Sequence, residues 1–160
     1  MQKLKVQIFL LASCVVMLLA TCLMTIFAPV YRDNERAQRE TVVKQRLCAI
    51  RNAQMLYLKR HHTYAPTFKQ LVDEKMLADS LQYIPFTEQQ KFHLATTTIV
   101  EKSGKNIPLV ECSARFDEYL SGMDHDYISS ITQQANSYGN YPGLKFGDIT
   151  SNNDNAANWE

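Results

Sequence analysis

Oxygen-bearing side chains near the C-terminus are the first residues of this sequence whose types suggest chemistry. Asp148, Asp154 and Asn155 offer hard carboxylate and amide oxygens, the donors that calcium takes six to eight at a time. Their spacing is not that of an EF-hand, so a polar loop without metal competes with a calcium site. His61 and His62 are adjacent, which on a helix sets them about 100° apart and prevents joint metal ligation from that helix. They read as solvated histidines at a helix end. Asp124-His125-Asp126 could orient an imidazole, but no serine or cysteine nucleophile motif accompanies it. Glu111 and Glu118 could share acid–base work only if the fold brought them together, and nothing in the sequence does so. No catalytic residue stands out: the chain is expected not to be an enzyme, and no pattern points to a small-molecule substrate.

The four cysteines divide between an apolar N-terminal stretch, Cys14 and Cys22, and the rest of the chain, Cys48 and Cys112. No C-x-x-C pair suggests redox or zinc chemistry. Cys48 and Cys112 could close a long loop as a disulfide, or could be two small buried apolar residues. The 17 basic and 16 acidic residues leave a net charge of +1 scattered along 160 residues. Nucleic-acid binders need a concentrated basic face, so no nucleic-acid partner is expected.

The elements that must position these residues begin with an anchor. No charge occurs between Val6 and Tyr31, and residues 6–28 are long enough to cross about 30 Å of hydrocarbon as a helix. A signal peptide has a shorter apolar region, about 7 to 15 residues, and Pro29 behind Ala28 disfavours cleavage there. Leu11-Ala12-Ser13-Cys14 resembles a lipobox, but the chain stays apolar well past Cys14. An uncleaved single-pass anchor in the inner membrane is therefore expected. Lys3 and Lys5 precede it, while Arg32, Arg36, Arg39, Lys44 and Arg46 follow it. A plain charge count favours an internal domain, whereas a short basic tail before a first apolar run reads as a signal-anchor. The expectation adopted is a periplasmic domain.

Pro29 predicts a break or kink, with Asp33 or Asn34 capping a second helix over 35–60. Val43, Leu47, Ile50, Gln54 and Tyr57 form its inward row, and Arg39, Lys44, Arg46 and Arg51 its wet face. A coiled-coil seam is the rival reading, but the stripe is short and contains Gln54. Thr67 to Gln70 predicts a capping box opening a short helix with Phe68, Leu71, Val72 and Leu77 on its apolar side. Runs rich in β-branched and aromatic residues over 82–86, 92–101 and 107–115 predict an antiparallel meander, with a turn at Ser103-Gly104-Lys105-Asn106. A helical turn over 117–120 and a helix over 126–136 follow. The tail is polar and carries three glycines. Leu144 and Phe146 would share one side of an extended chain there, and Trp159 is expected to dock on its own domain.

This order of parts resembles a type II secretion pseudopilin. The resemblance rests on Ile50-Arg51-Asn52-Ala53-Gln54-Met55-Leu56-Tyr57, on Tyr64-Ala65-Pro66-Thr67 with Leu71, and on Asp148-Ile149-Thr150 with Asn158-Trp159. It implies a pilin-like α+β fold, an amphipathic stalk helix packed on a small antiparallel sheet. It also implies a calcium-holding acidic C-terminal loop and envelope protein partners. The N-terminus departs from the pattern, having neither the glycine nor the early glutamate that prepilin processing and subunit registry use. More closely, the chain is similar to a group of small single-span bacterial envelope proteins. The shared features are the proline after the span, the Ile50 to Tyr57 stretch, Tyr83-Ile84-Pro85-Phe86, Tyr141-Pro142-Gly143-Leu144-Lys145 and the Asn158-Trp159-Glu160 end. That likeness brings no activity with it. The expected organisation is an anchor over 1–31 and a pilin-like soluble domain over 32–160.

Overall fold

The computed structural model describes the backbone of residues 2–100 and 104–160, with side chains outside 1–9 and 26–29. The flanking Lys3 and Lys5, the side chains of Ala28 and Pro29, and Ser103 of the expected turn therefore lie outside the described side chains or residues. Helix α1 (Gln2–His61) contains 60 residues. Two compact units divide the chain, Met1–Gln38 and Arg39–Glu160.

In the first unit, Leu10 through Met24 are exposed and apolar. The hydroxyls of Ser13, Thr21 and Thr25 each donate to the carbonyl three residues earlier, at 2.8 to 2.9 Å. Bonding back to the helix satisfies these groups without water, as a hydrocarbon environment demands. By length and composition this stretch could cross a membrane, a test that a signal sequence also passes. The break expected at Pro29 is absent from the helix assignment, which runs through it. A proline deletes one backbone donor, and apolar helices tolerate that loss. Asp33 and Asn34 consequently lie inside α1 rather than at the start of a helix.

The second unit is α+β. Helix α2 (Phe68–Asp73) and a 3₁₀ turn (Asp79–Gln82) precede strands β1 (His93–Val100) and β2 (Asn106–Arg115). Helices α3 (Phe116–Tyr119) and α4 (His125–Ser137) follow, and then strand β3 (Gly143–Gly147). The sheet is antiparallel in the order β1-β2-β3. The inward row of α1 is buried as its periodicity predicts: Val43, Leu47, Ile50 and Gln54 are at 0% exposure, with Tyr57 close behind. They share one core with Val110, Cys112 and Ala114 of β2, Leu144 and Phe146 of β3, and Tyr119 and Leu120.

Three expectations need correction. Residues 82–86 are not a strand: Tyr83 makes only an isolated bridge to Lys91, and the third strand is β3. The aromatic and β-branched content there serves burial of Ile84 rather than ladder pairing. Thr67 precedes α2 but makes no side-chain capping bond. The third correction concerns the wet face of α1. Arg39 donates to Ser121 O at 2.8 Å and lies 5.0 Å over the Phe86 ring, and Arg46 donates to Tyr83 O at 2.6 Å. Arg51 forms a two-pronged pair with Glu160 at 2.8 and 3.1 Å. A half-buried guanidinium can keep its charge while its planar donors satisfy loop oxygens, so three of the four residues clamp other segments to α1. Only Lys44 stays on its own helix, 3.8 Å from Glu40.

Gln54 fixes the exit from α1. Its Nε2 donates to Ala65 O at 3.0 Å and its Oε1 accepts from Ala65 N at 2.9 Å, all buried. Gln54→Met keeps the volume but leaves both Ala65 groups without partners. At about 1–3 kcal/mol for each buried unsatisfied group, the variant should lose roughly 3 kcal/mol. Chemical denaturation against the parent chain measures this, and an unchanged midpoint would contradict it.

Candidate functional site

The C-terminal loop that carries Asp148, Asp154 and Asn155 follows β3 and returns along its outer edge. Gly147 N donates to Ala156 O, Asn158 N donates to Lys145 O, and Lys145 N donates to Asn158 Oδ1, all at 3.0 to 3.1 Å. Asn158 Nδ2 adds a bond to Gly143 O at 2.9 Å. Trp159 is partly buried against the core, so the tail is part of the fold. The indole shares its work with Glu160, whose carboxylate meets Arg51 and also accepts from Ala157 N at 3.3 Å.

Within this loop the three candidate ligands have separate tasks. Asp148 Oδ1 accepts from the backbone N–H and hydroxyl of Thr150 at 2.7 and 2.6 Å. Asn155 turns its amide towards the core, donating to Tyr64 Oη at 2.7 Å and approaching Met55 Sδ at 3.3 Å. Asp154 lies exposed at a left-handed position, φ 53°, with its N–H bonded to Asn152 Oδ1. This arrangement supplies few of the six to eight oxygens that calcium takes. Among the described residues no group of three or more His, Cys, Asp or Glu could hold a metal ion.

The remaining candidates are dispersed. His61 stacks on Tyr57 with ring centroids 4.2 Å apart and meets Glu74 at 2.8 Å, while His62 takes the left-handed position that ends α1, φ 58°. Asp124 is the N-cap of α4, accepting from Asp126 N at 3.0 Å, and His125 is exposed in the first turn. Glu111 pairs with Lys145 at 3.0 Å, while Glu118 has different partners. Cys48 and Cys112 are both free thiols, and burial pushes the Cys112 thiol well above its ordinary range.

A second place, not anticipated as a site, is an open polar concavity of about 520 Å³ beside the base of β1. Glu118 lines it with a side chain only 10% exposed. It accepts from Gln90 Nε2 at 2.6 Å and Arg115 N at 2.7 Å, and lies 2.5 Å from His93 Nε2. Arg115 in turn pairs with Asp117 at 3.1 Å. Sequence reasoning named Glu118 with Glu111, found nothing to bring the two together, and did not anticipate Gln90, His93 or the Arg115 N–H as its partners. Its histidine is supplied by the β1/β2 register, which sets His93 opposite Ser113, and register has no local signature. Chemically the cluster is a carboxylate holding three partners, which fixes the turn at the end of β2, and the hydroxyl-bearing Thr87 and Ser121 line the same concavity.

Comparison with family models, with curated proteins and with solved structures gives no match for this chain.

Three carboxylates are held below their ordinary pKa: Glu74 by His61 and then Arg60, Asp148 by Thr150, and Glu160 by Arg51. A carboxylate that is more acidic folded than unfolded stabilises the fold above its unfolded value and loses that contribution as pH falls through the folded one. The melting temperature should therefore be flat down to about pH 4.5 and decline below it. Glu160→Gln should shrink the decline, and an identical acid limb in that variant would remove Glu160 from the account.

Tail packing and metal binding are separable by melting. Trp159→Ala should cost about 1.5–2.5 kcal/mol, roughly half the loss for a fully buried ring. Chelator should leave the melting temperature of the parent chain unchanged, because Asp148 and Asn155 are already engaged. A calcium-dependent rise in melting temperature would place an ion at Asp148 and Asp154.

Proposed function

We propose that this chain is a membrane-anchored structural or assembly component of a bacterial envelope machine. In this reading it is pilin-like in architecture, held in the inner membrane by residues 6–28, with residues 32–160 on the periplasmic side. It works through protein partners rather than through catalysis. The observation that carries this reading is α1. Its N-terminal stretch is charge-free, apolar and exposed, and its C-terminal stretch supplies the buried row of the α+β unit. A helix built in this way suits an anchored assembly subunit, whose business is to hold a domain at a membrane. The polar side chains add support. Arg39, Arg46, Arg51, Gln54, Asn155 and Asn158 are all spent on holding this chain's own backbone and tail.

The second reading is a periplasmic ligand-binding or sensor module, and the concavity at Glu118 is the observation in its favour. Gln90, His93 and the Arg115 N–H already bond to Glu118, and Arg115 to Asp117, whereas a binding site presents convergent groups to a ligand.

Protease added to spheroplasts should digest the soluble unit, and protection would place it in the cytoplasm. Crosslinking in intact membranes, followed by affinity purification, should recover envelope assembly proteins. Recovery of a soluble metabolite with no protein partner would favour the binding module instead.

A further inference from the structure

A three-stranded sheet leaves backbone groups at its margins, and an unprotected margin is a template for another strand. The outer edge of β3 is covered by the C-terminal segment, which bonds to Lys145 and Gly147 and bridges Phe146 to Ala157. β3 pairs with β2 only from Glu111 to Arg115, so residues 106–110 of β2 form a second margin. Pro108 lies within it and removes an N–H donor. β1 is the third margin, and among the described residues it has no such device. Residues 94–100 contain no charge and no proline, and the register of β1 on β2 runs without a bulge from His93 to Val100. Val100 is 69% exposed.

The hydrogen-bonding phase of that edge follows from the opposite side of the sheet. Lys145 directs both its N–H and its C=O at Asn158, away from β2. Because bonding alternates along an antiparallel ladder, Leu144 and Phe146 face Ala114 and Cys112. Residues 107, 109, 111 and 113 of β2 then face β1, opposite Ile99, Thr97, Ala95 and His93. This phase also turns the donor-less nitrogen of Pro108 outward, where its loss is harmless to the β1/β2 ladder. It follows that Leu94, Thr96, Thr98 and Val100 present their N–H and C=O groups outward. Among the described residues no backbone hydrogen bond from outside the ladder reaches them.

We propose that this edge is an interface between two copies of the chain, with β1 pairing antiparallel with β1 of a second molecule about a two-fold axis at Thr97. The strand fits itself. In that register Leu94 bonds with Val100 and Thr96 with Thr98, each pair occurring twice. Thr97 meets its own counterpart in a non-bonded pair, where side chains approach most closely. Threonine meets threonine at the centre and apolar residues meet at both ends, combinations that favour cross-strand pairing. A strand that seats here must not bring charge to a seam that offers none in return, and a copy of 94–100 meets that condition. A two-fold pairing of identical edges is also closed, so it ends at two molecules rather than growing into a fibre. The proposal stands on the strand edge and does not depend on the assembly reading.

The test uses the full chain in native membranes and in detergent. The non-bonded pair has a Cα separation within disulfide range, so Thr97→Cys should give an oxidant-dependent covalent dimer beyond any that the native cysteines of the parent give. Adding Thr98→Pro deletes an outward N–H and no bond to β2. It should abolish the dimer while the melting temperature stays near that of Thr97→Cys alone. Thr98→Lys, which keeps every backbone group and adds charge to the seam, should also suppress it, and this covers the case in which the proline disturbs folding. The proposal is overturned by Thr97→Cys linking no more than the parent, by a dimer that survives Thr98→Lys, or by crosslinks to a different protein in place of the second copy.

Discussion

A buried primary amide organises the α+β unit. The backbone N–H and C=O of Ala65 are both removed from water where the chain turns back after α1, and each needs a partner. Only a side chain carrying a donor and an acceptor side by side can serve both at once, and among neutral residues that means Asn or Gln. Gln54 reaches where a shorter side chain would not. Its bond fixes the path after His62, and with it Tyr64 and Phe68 enter the core beside Leu47 and Ile50.

From that fixed exit, α1 serves as the frame for segments that have little structure of their own. Three short strands seldom stand alone in water and need a helix on the apolar face. Here α1 covers that face through Val43, Leu47, Ile50 and Tyr57, while its arginines reach beyond it to the 79–86 segment, the turn after α3 and the C-terminus. An exposed ion pair contributes only about 0–1 kcal/mol. The clamp at Tyr83 O draws more of its value from satisfying a part-buried loop carbonyl, whereas the one at Ser121 O is exposed. Loops are thus fixed by side chain to backbone bonds in addition to isolated backbone bridges of their own.

This division explains what could be read from the sequence and what could not. The buried row of α1 was legible because an apolar period of three and four survives in any one-sided helix. β1 and β2 were legible from their β-branched runs. β3 was not, because five residues flanked by glycines become a strand only through register with 111–115. Tyr83 to Phe86 misled for the converse reason: in a run whose composition suits a strand, Ile84 enters the core while Phe86 stays exposed beneath Arg39. The arginines were expected to stay wet because loop carbonyls, their real partners, leave no mark in a sequence. The same holds for the Glu118 cluster, which depends on a histidine from β1, a glutamine from the preceding loop and a backbone N–H at the end of β2. Of the proposed metal ligands, the residue types were legible, but the turn that engages Asp148 with Thr150 and the burial of Asn155 against Tyr64 were not.

The C-terminal segment carries the reasoning one step further. Its asparagines suggest a solvated tail, yet Asn158 offers a backbone N–H, an amide oxygen and an amide nitrogen to Lys145 and Gly143, and so imitates a strand without being one. The imitation requires glycines on β3. A Cβ at Gly143 would collide with the Ala114 carbonyl, and one at Gly147, where φ is +73°, with that of Val110. Close approach of β3 to β2 leaves room for the tail to lie flush along the other side, where Trp159 and Glu160 then reach the core and Arg51. Polarity in this segment therefore protects a sheet edge. Because the tail and Pro108 guard two margins by different chemistry, the bare margin of β1 is an exception within this chain's own pattern rather than an ordinary strand end.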